Sequence, residues 1–565
     1  MADRAAQDPG PANEKDQSGG NQPGSQPMTR RRFVRAFGWT AASVGALPLL
    51  QACTQAPATS APAQPAATAA APAPAASAAA PAPAAGQPVP GGIMRVTLGA
   101  EPTTLDPAKT NTLFDADVHD AIFEGLISNI VYDPITGAVA ESWNSPDGKT
   151  WTFKLRKGVQ FHDGTEVTAD AVKFSFDRIK DPATGASAQP RGRVAQILSI
   201  STPDPGTVVF VLEKPSATFP LETSDIMIVP KNFDATKPVG SGPFVFVEWV
   251  RNQRLRVQKF KNYRVPALPY LDEVVFVPTP DENQKVVLLQ TGAVDMTDSV
   301  PLPRVKELTS GGKIVVIGIE AGVSPSSYMM ILRTTVKPLD NPKVRQAINY
   351  AIDRKAMLDV TFGVGTLKSN PIPPKNWAFS AAAPSYNQRD VAKAKALLVE
   401  AGLPNGFNIQ LKHITSRAEF IPIGQLFQAN MADVGIKVEL VPQPLAVWIE
   451  DAQNQHNFQI ALTGVTPGPD PDAILTSLYD QLQANGKMSA YKNDNLQKLI
   501  EQGRATVSKE ERIKIYAQAQ QIIMTEMPSW PINERPILFG ATPAVQGFVT
   551  DIRQHLHFNS VWLKR

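Results

Sequence analysis

The sequence predicts an α/β or α+β body of about 475 residues that begins near Gly91. Two observations predict this class. Short segments rich in β-branched and aromatic residues, typical of strands, alternate along the chain with longer segments whose apolar residues recur every three or four positions, as on one helix face. The chain is also 43% apolar and 19% charged, which is enough apolar material to bury substantial cores.

Seven segments of the body have the composition of strands, and the second of them follows a turn predicted at Asp147-Gly148. In chain order these segments are IMRVTLG (93–99), TWTFKLRKG (150–158), TVVFVLE (207–213), GPFVFVEWV (242–250), EVVFVPTP (273–280), KIVVIGIE (313–320) and YMMIL (328–332).

Helices are predicted where capping residues precede an apolar period of three to four. One begins at Thr168, and another begins after Asn341, a favourable N-cap that is followed by Pro342 at the first helical position. A third helix is expected to end near Gly402. The remaining helical segments are GQLFQANMADVG (424–435), NLQKLIEQG (495–503) and KEERIKIYAQAQQIIMTEM (509–527).

The N-terminal region has the features of an export leader. After TRRRFVR, fifteen uncharged residues (36–50) run up to Cys53, the single cysteine of the chain. A membrane-spanning helix needs about 20 apolar residues, so this segment fits the apolar core of a signal peptide better. A single cysteine also rules out a disulfide within the chain.

Two short motifs in the leader resemble known export signals. Arg30 and Arg31, with Thr29 before them and Phe33 after them, resemble a twin-arginine signal. LQAC (50–53) resembles a bacterial lipobox, which implies cleavage before Cys53 and lipidation of its sulfur. The alternative for Cys53 is an ordinary free or buried thiol.

An uncharged linker follows the cysteine. Residues 54–90 contain 18 alanines and 9 prolines, a composition that prevents a continuous helix and lacks the large apolar groups of a core. The formal charge of the whole chain is only +3, and part of it belongs to the leader. The nearly neutral body therefore argues against nucleic-acid binding, which needs clustered cations.

Six blocks occur in order along the body and cover nearly all of residues 92–565. They are EPTTLDP (101–107), IFEGLI (122–127), VAESWNSPDGKTWTFKLRKGVQFHDGTEVTADAVKFSFDR (139–178), VGSGPFVFVEW (239–249), VRQAINYAIDR (344–354) and KAKALLVEAGLPNGF (393–407). In their order and spacing these blocks specifically resemble family 5 of the extracellular solute-binding proteins, the dipeptide, oligopeptide and nickel receptors of ABC importers.

The resemblance implies an α/β fold of the type II periplasmic-binding-protein kind, with two lobes that close on a ligand by hinge motion. It implies a signal peptide at 1–52 and a lipid-anchored linker at 53–91. The first lobe would comprise 92–323 plus 531–565, with an extra subdomain near 138–237, and the second lobe would comprise 324–530. The hinge crossings would lie near 322–328 and 530–532.

The same resemblance assigns residues to the ligand cleft. Asn111, Thr112 and Leu113 match cleft positions of the family's oligopeptide receptors. Asp298 stands where a cleft aromatic is found, and Arg333 stands where an asparagine is usual. The sequence leaves two interpretations of Asp298 and Arg333 open. They form a ligand-binding pair from the two lobes, or both have a purely structural role.

The segment TGVTPGPDPDAIL (463–475) departs from the family pattern. Peptide receptors have GW.AD here, with an aspartate that binds the peptide ammonium group, but this chain has Gly464, Val465 and Thr466, without that tryptophan and aspartate. Asp470 or Asp472 is the candidate substitute, although a cap or turn role is favoured. Trp377 could cover a ligand face or pack beneath its proline-rich loop.

The motifs exclude most catalytic classes. Six histidines are dispersed without an HExxH motif, and no nucleophile elbow or Walker motif occurs in a suitable setting. His555 and His557, on one face of a predicted strand, form a weak metal candidate. The prediction is therefore a non-enzymatic receptor without cofactor, metal or catalytic residues.

As the partners of this receptor we predict a peptide-like or other small polar solute, ABC permease subunits with their ATPase, and a membrane reached through the lipid anchor. The chain is expected to be an exported monomer at the periplasm or the outer face of the cytoplasmic membrane. The alternatives are a solute-sensing or scaffold lipoprotein that serves no importer, and a receptor for metal chelates.

Overall fold

The computed structural model describes residues 87–565 except 111, 133–134, 319–322, 482, 552 and 565. The predicted export signal at Arg30 and Arg31, the lipidation site Cys53 and the cleft residue Asn111 lie outside the described residues. Among the helices that are described, none has both the length and the apolar character needed to cross a bilayer.

The first part of the body alternates strands and helices up to residue 318. Its strands are β1 (Ile93–Leu98), β2 (Ile127–Tyr132), β3 (Ile135–Gly137), β4 (Ala140–Asn144), β5 (Thr150–Leu155), β6 (Ile197–Asp204), β7 (Thr207–Leu212), β8 (Phe244–Val250), β9 (Arg254–Lys259), β10 (Glu273–Pro278), β11 (Met296–Thr297) and β12 (Val315–Gly318). Its helices are α1 (Leu113–Ile122), α2 (Ala169–Lys180), α3 (Ala188–Val194), α4 (Phe219–Glu222), α5 (Glu282–Gln290) and α6 (Val305–Ser310).

The second part is richer in helix. Its strands are β13 (Ser327–Leu332), β14 (Asn408–Ile414), β15 (Lys437–Gln443), β16 (Ile460–Val465) and β17 (Ser529–Glu534). Its helices are α7 (Pro342–Ala351), α8 (Arg354–Val360), α9 (Val391–Glu400), α10 (Phe420–Ala432), α11 (Leu445–Trp448), α12 (Pro471–Tyr479), α13 (Ala484–Ser489), α14 (Asp494–Ala505) and α15 (Lys509–Glu526). The tail adds short strands, namely β18 (Leu538–Ala541), β19 (Val545–Gln546), β20 (Val549–Thr550), β21 (Leu556–His557) and β22 (Trp562–Leu563).

The first lobe is built on a seven-stranded mixed sheet in the order β12-β18-β11-β1-β10-β9-β8. Strand β1 lies at its centre and pairs in parallel with β10 and β11. Met94, Val96 and Leu98 of β1 are fully buried, because alternate residues of a strand point to the same face and this face packs on the core.

A four-stranded antiparallel sheet, in the order β4-β5-β7-β6, forms the subdomain of the first lobe. Phe153 and Phe210 from adjacent strands pack edge to face, with ring centroids 5.6 Å apart. Trp151 is buried as well, and its Nε1 donates to the Gly148 carbonyl in the turn that the sequence predicts. The aromatic residues of this segment therefore form a core.

The second lobe is built on a five-stranded sheet in the order β15-β14-β16-β13-β17. Every side chain of β13 is buried. Helix α7 begins as its sequence predicts, because Asn341 caps it through the Lys343 amide and Pro342 occupies the first turn. Its apolar stripe, Val344 with Ala347, Ile348 and Ala351, is fully buried in this core.

The chain returns from the second lobe to the first after β17. Because β17 pairs with β13 over its whole length while β18 pairs with β11 and β12, the crossing lies at 535–537 rather than at the expected 530–532. Glu534 holds the end of β17 to the second lobe, since its carboxylate accepts hydrogen bonds from the Ser324 amide and the Thr366 hydroxyl.

Candidate ligand-binding site

A cavity of about 370 Å³ lies between the two lobes. The first lobe lines it with residues from α1, from α3 of the subdomain and from the loop between β20 and β21. The second lobe contributes the loop 466–468, which connects β16 to α12. A ligand in this cavity would touch both lobes at once.

The N-terminus of α1 is fixed at the cavity wall. The Thr112 hydroxyl accepts from the Asp115 amide, and the Asp115 carboxylate accepts from the Thr112 amide, which completes a capping box. Asp115 also accepts from the amide and hydroxyl of Thr103. These bonds hold Thr112 and Leu113 in the cavity lining.

A row of paired charges, Arg193–Asp225–Arg553, forms one side of the cavity. The Arg193 guanidinium lies 2.7 Å from one Asp225 oxygen, and Arg553 donates to the other oxygen. Burial alone would raise the pKa of Asp225, but the two guanidinium groups outweigh it and hold the pKa below its usual value. The row therefore carries two positive charges against one negative charge, which favours an anionic group nearby.

His555 adds a further cation beside this row. Its Nδ1 lies 2.8 Å from Asp120 Oδ2 and 3.9 Å from Asp551 Oδ2. Burial would lower the pKa of His555, but the two carboxylates prevail and raise it to about 10, so the imidazole is charged at neutral pH. Asp120, His555 and His557 also bring one potential metal-binding atom each within 4.8 Å of one another.

Thr466 is the polar contact of the second lobe. Its hydroxyl oxygen accepts from Ser326 Oγ at 3.2 Å and from an Arg535 guanidinium nitrogen at 3.1 Å. With both acceptor positions used, the hydroxyl hydrogen of Thr466 remains as a donor for an acceptor atom of a ligand in the cavity.

A second inter-lobe cavity, of about 650 Å³, adjoins the first and shares Gln189, Arg193, Gly468 and Arg553 with it. Glu222 from the subdomain and Asp472 from α12 line this second cavity. Burial raises the pKa of both carboxyl groups, that of Asp472 to about 6, although arginines oppose the effect.

The sequence predictions for the site are met unevenly. Thr112, Leu113 and Thr466 line the first cavity, whereas Gly464 and Val465 are residues of β16 that line neither cavity. Asp470 borders the second cavity, but its side chain caps α12 through the Asp472 amide and pairs with Arg512. Asp470 therefore has the capping role that its sequence favours.

The expected pair of Asp298 and Arg333 is not at the cavity. Asp298 is buried in the first lobe, where it accepts from the Thr97 hydroxyl and the Gly99 amide and lies 3.0 Å from Lys285 Nζ. Arg333 directly follows β13 and donates to backbone carbonyls at Lys487 and Met488. Neither Asp298 nor Arg333 lines either inter-lobe cavity, and Asp298 already has Lys285 as an ionic partner. Their assignment to the ligand cleft stays a prediction.

Trp377 also lies away from both cavities. Its ring packs against Tyr516, with centroids 6.2 Å apart, and the Arg512 guanidinium lies 5.2 Å from the ring centroid. The packing interpretation of Trp377 therefore describes this structure better than a ligand contact does.

Sequence reasoning missed the charged row. Arg193, Asp225 and Arg553 stand in segments without a motif, and only folding brings them together. The two-residue spacing of His555 and His557 is a partial signal, but the partner of His555, Asp120, lies on α1, far away in the sequence.

The comparison with protein families decides the class. Residues 134–486 match the model of the family described as bacterial extracellular solute-binding proteins, family 5 Middle. The chain belongs to this family. It is a substrate-binding receptor of the kind that serves ABC importers, and members of the family are binding proteins that act outside the cytoplasm.

Named relatives agree with this family assignment. The chain is 30% identical over 476 residues to the glutathione-binding protein GsiB of Shigella boydii, covering 80% of this chain and 91% of that protein. Its fold is similar to DppA from Helicobacter pylori in complex with peptide STSA, at 27% identity and a TM-score of 0.67, over 84% of this chain and 99% of that one.

A third relative, AgaA of Agrobacterium tumefaciens R10 in complex with agropinic acid, shows 30% identity and a TM-score of 0.66, again over 84% of this chain and 99% of that one. The two-lobed fold of this family thus carries the cavities described above. The comparisons support the receptor role and not a sensory, scaffold or metal-chelate function.

Proposed function

We propose that this receptor captures a small peptide-like solute with at least one carboxylate and delivers it to an ABC permease. The observation that carries the proposal is the Arg193–Asp225–Arg553 row, which faces Thr466 of the opposite lobe across the first cavity. A carboxylate there would receive charge-assisted hydrogen bonds from a site with a surplus positive charge.

The size of the site supports a compact solute. The first cavity, of about 370 Å³, is near the lower end of ordinary small-molecule pockets, which span roughly 300–1,000 Å³. The adjoining cavity of about 650 Å³ leaves room for a longer or substituted ligand. Glu222 and Asp472 line it but already have protein partners. Glu222 accepts from Gln196 and Thr218, and Asp472 pairs with Arg504 at 3.1 Å, so we assign them no ligand group.

Contact with both lobes is what couples binding to closure. A ligand that binds the open and closed forms equally does not change their populations. A ligand that drives closure must therefore gain contacts in the closed form. The arginines lie in the first lobe and Thr466 in the second, and the loop 466–468 adds a backbone surface opposite α1. A carboxylate solute held between them would favour the closed form.

The relatives support the same ligand chemistry. Glutathione, peptide STSA and agropinic acid are named with GsiB, DppA and AgaA. Glutathione and an unmodified peptide share a free carboxylate and amine, and agropinic acid is an acid. From these relatives we infer only that the ligand of this chain carries a carboxylate, and we name no single compound.

Native mass spectrometry of the purified protein would test the proposal first, since tight ligands are retained. Titration calorimetry would then compare reduced glutathione and unmodified tripeptides with their carboxyl esters, which keep the size but lose the charge. We expect the acids to bind and the esters to bind at least tenfold more weakly. Equal binding of acids and esters, or exclusive binding of neutral sugars, would refute the proposal.

We propose in addition that Arg30 and Arg31 direct export and that Cys53 carries the lipid that anchors the receptor, as a monomer, beside its permease and ATPase. Residues 53–91 would form the linker, and the lobe boundaries would follow the predicted ranges apart from the second crossing. In a bacterial host, Cys53→Ser should move the protein from the membrane fraction to the soluble fraction and abolish labelling with a fatty-acid analogue. Unchanged labelling would exclude lipidation at this residue.

A further inference from the structure

A small cavity of about 40 Å³ lies in the first lobe behind the solute cavity. Its wall includes Asp120 and Glu124, four residues apart at the end of α1, and His557 of β21. Asp120 lines both this small cavity and the solute cavity. The space is large enough for one ion or one water molecule.

Glu124 has a carboxylate oxygen that lacks a partner. Its Oε1 accepts from the Tyr263 hydroxyl at 2.9 Å and from Arg264 Nε at 2.8 Å. Its Oε2 is buried and has no hydrogen-bond partner, and the whole residue is only 8% exposed. A buried carboxylate oxygen without a partner is costly, so it indicates an additional group in the cavity.

The adjacent imidazoles have the arrangement of metal ligands. His557 Nε2 lies 3.1 Å from Asp551 Oδ2, and such a carboxylate–imidazole pair orients the other ring nitrogen towards a metal. Possible ligand atoms of Asp120, His555 and His557 lie within 4.8 Å of one another. A metal ion would replace the hydrogen atom between His555 Nδ1 and Asp120 Oδ2 and release that proton.

The charges around the cavity are consistent with a cation. Buried carboxyl groups come from α1, from the segment after it and from the tail, namely Asp117, Asp120, Glu124 and Asp551. Arg264 pairs with Glu124. One divalent ion would offset two of these carboxylate charges.

We propose that Asp120, His555 and His557 bind one divalent transition-metal ion of the zinc class behind the solute cavity, where Glu124 lines the same small space as Asp120 and His557. Two imidazoles with carboxylate oxygens suit Zn²⁺ and similar ions, while Ca²⁺ and Mg²⁺ prefer oxygen ligands alone. The ion would tie α1 to the C-terminal strand β21 and fix the Asp120 wall. This site goes beyond the proposed function and does not depend on which solute binds.

The test uses the full-length protein after dialysis against EDTA. Competition with a chromophoric chelator measures the stoichiometry and affinity for Zn²⁺, and Co²⁺ replaces Zn²⁺ for visible absorption spectra. We expect one Zn²⁺ per chain, a Tm that rises with Zn²⁺, and visible Co²⁺ bands typical of low coordination number. The variants Asp120→Asn and His557→Asn should bind Zn²⁺ at least tenfold more weakly.

The matched control is His456→Asn in the second lobe. His456 has a positive φ of 57°, which asparagine tolerates, and this variant should keep the wild-type affinity for Zn²⁺. Less than one Zn²⁺ per chain, or wild-type affinity in both site variants, would overturn the proposal. If His557→Asn fails to fold by circular dichroism, the near-isosteric Asp120→Asn decides. If this second variant also fails to fold, the wild-type protein decides the question. A Co²⁺ complex without the visible bands of low coordination number would overturn the proposal.

Discussion

Arg553 donates a hydrogen bond to the Asp225 carboxylate although 328 residues separate the two along the chain. The contact joins the loop after β20 to the short turn that follows α4, and Arg193 binds the same carboxylate from α3. Three distant segments therefore build one wall of the solute cavity, and we expect the positive charge of this wall to attract an anionic solute.

Replacing Arg553 should weaken solute binding. Arg553→Gln removes a positive charge from the cavity and leaves Asp225 with Arg193 alone. We expect at least a tenfold rise in the Kd for reduced glutathione, or for the solute that copurifies, which corresponds to about 1.4 kcal/mol. Calorimetry at low salt measures the change.

Arg251→Gln is the matched control for Arg553→Gln. Arg251 lies over the Trp249 ring, 3.4 Å from its centroid, and lines neither inter-lobe cavity. Its loss should leave the Kd within twofold of wild type. A similar loss of affinity in both variants would mean that net charge, and not the Arg193–Asp225–Arg553 row, controls binding.

Thr466→Val should weaken binding from the side of the second lobe. Valine keeps the shape but removes the hydroxyl hydrogen offered to the ligand and the acceptor used by Ser326 and Arg535. We expect a fivefold to tenfold higher Kd, equivalent to about 1–1.4 kcal/mol, by calorimetry. Thr291→Val, at an exposed threonine of the first lobe, should leave the Kd unchanged. An unaltered Kd in Thr466→Val would show that Thr466 is not part of the site.

Asp298→Asn should reduce stability without changing solute affinity. The Lys285 ammonium is almost fully buried, and Asp298 is its buried partner at 3.0 Å. Leaving a buried charge without its partner costs about 3 kcal/mol of the free energy of unfolding. Urea denaturation and calorimetry on the same protein separate stability from binding.

Glu282→Gln removes the other carboxylate that contacts Lys285, at 2.9 Å. Glu282 is 48% exposed, so this control should cost less than about 1 kcal/mol. If Asp298→Asn instead abolished binding in a fully stable protein, the sequence-based assignment of Asp298 to the cleft would be right after all.

His162 should make stability fall in acid. Burial lowers the pKa of His162 from 6.5 to about 4, and its Nε2 lies 3.0 Å from the Gly242 carbonyl. Between these two values the unfolded chain binds the proton that the folded state excludes, so stability falls as the pH decreases from 6.5 to 4. The loss attributable to this residue is roughly 3 kcal/mol at most.

The measurement for His162 is urea unfolding, followed by tryptophan fluorescence, at several pH values in this range. His162→Gln keeps an N–H donor but does not titrate, so its stability should depend less steeply on pH than that of wild type. Parallel pH profiles for the two proteins would assign the acid sensitivity to other groups.

Local signals account for much of the fold. The cap at Asn341 with Pro342, the turn at Gly148 and the apolar stripe of α7 are interactions between near neighbours, and residue types alone specify them. The second of the two crossings between the lobes lies at 535–537, later than predicted, because β17 continues through Glu534. The partners of Glu534, Ser324 and Thr366, are distant in sequence.

The sequence by itself determined the family and the two-lobed α/β class, since ordered motifs and local patterns carry that information, while Thr112, Leu113 and Thr466 remain predicted ligand contacts that line the first cavity. Only the tertiary structure decided which charges face the solute. Asp298 became the internal partner of Lys285, while Arg193, Asp225 and Arg553 met at the cavity. An ionic contact depends on distance in space, and distances between remote segments are fixed by packing.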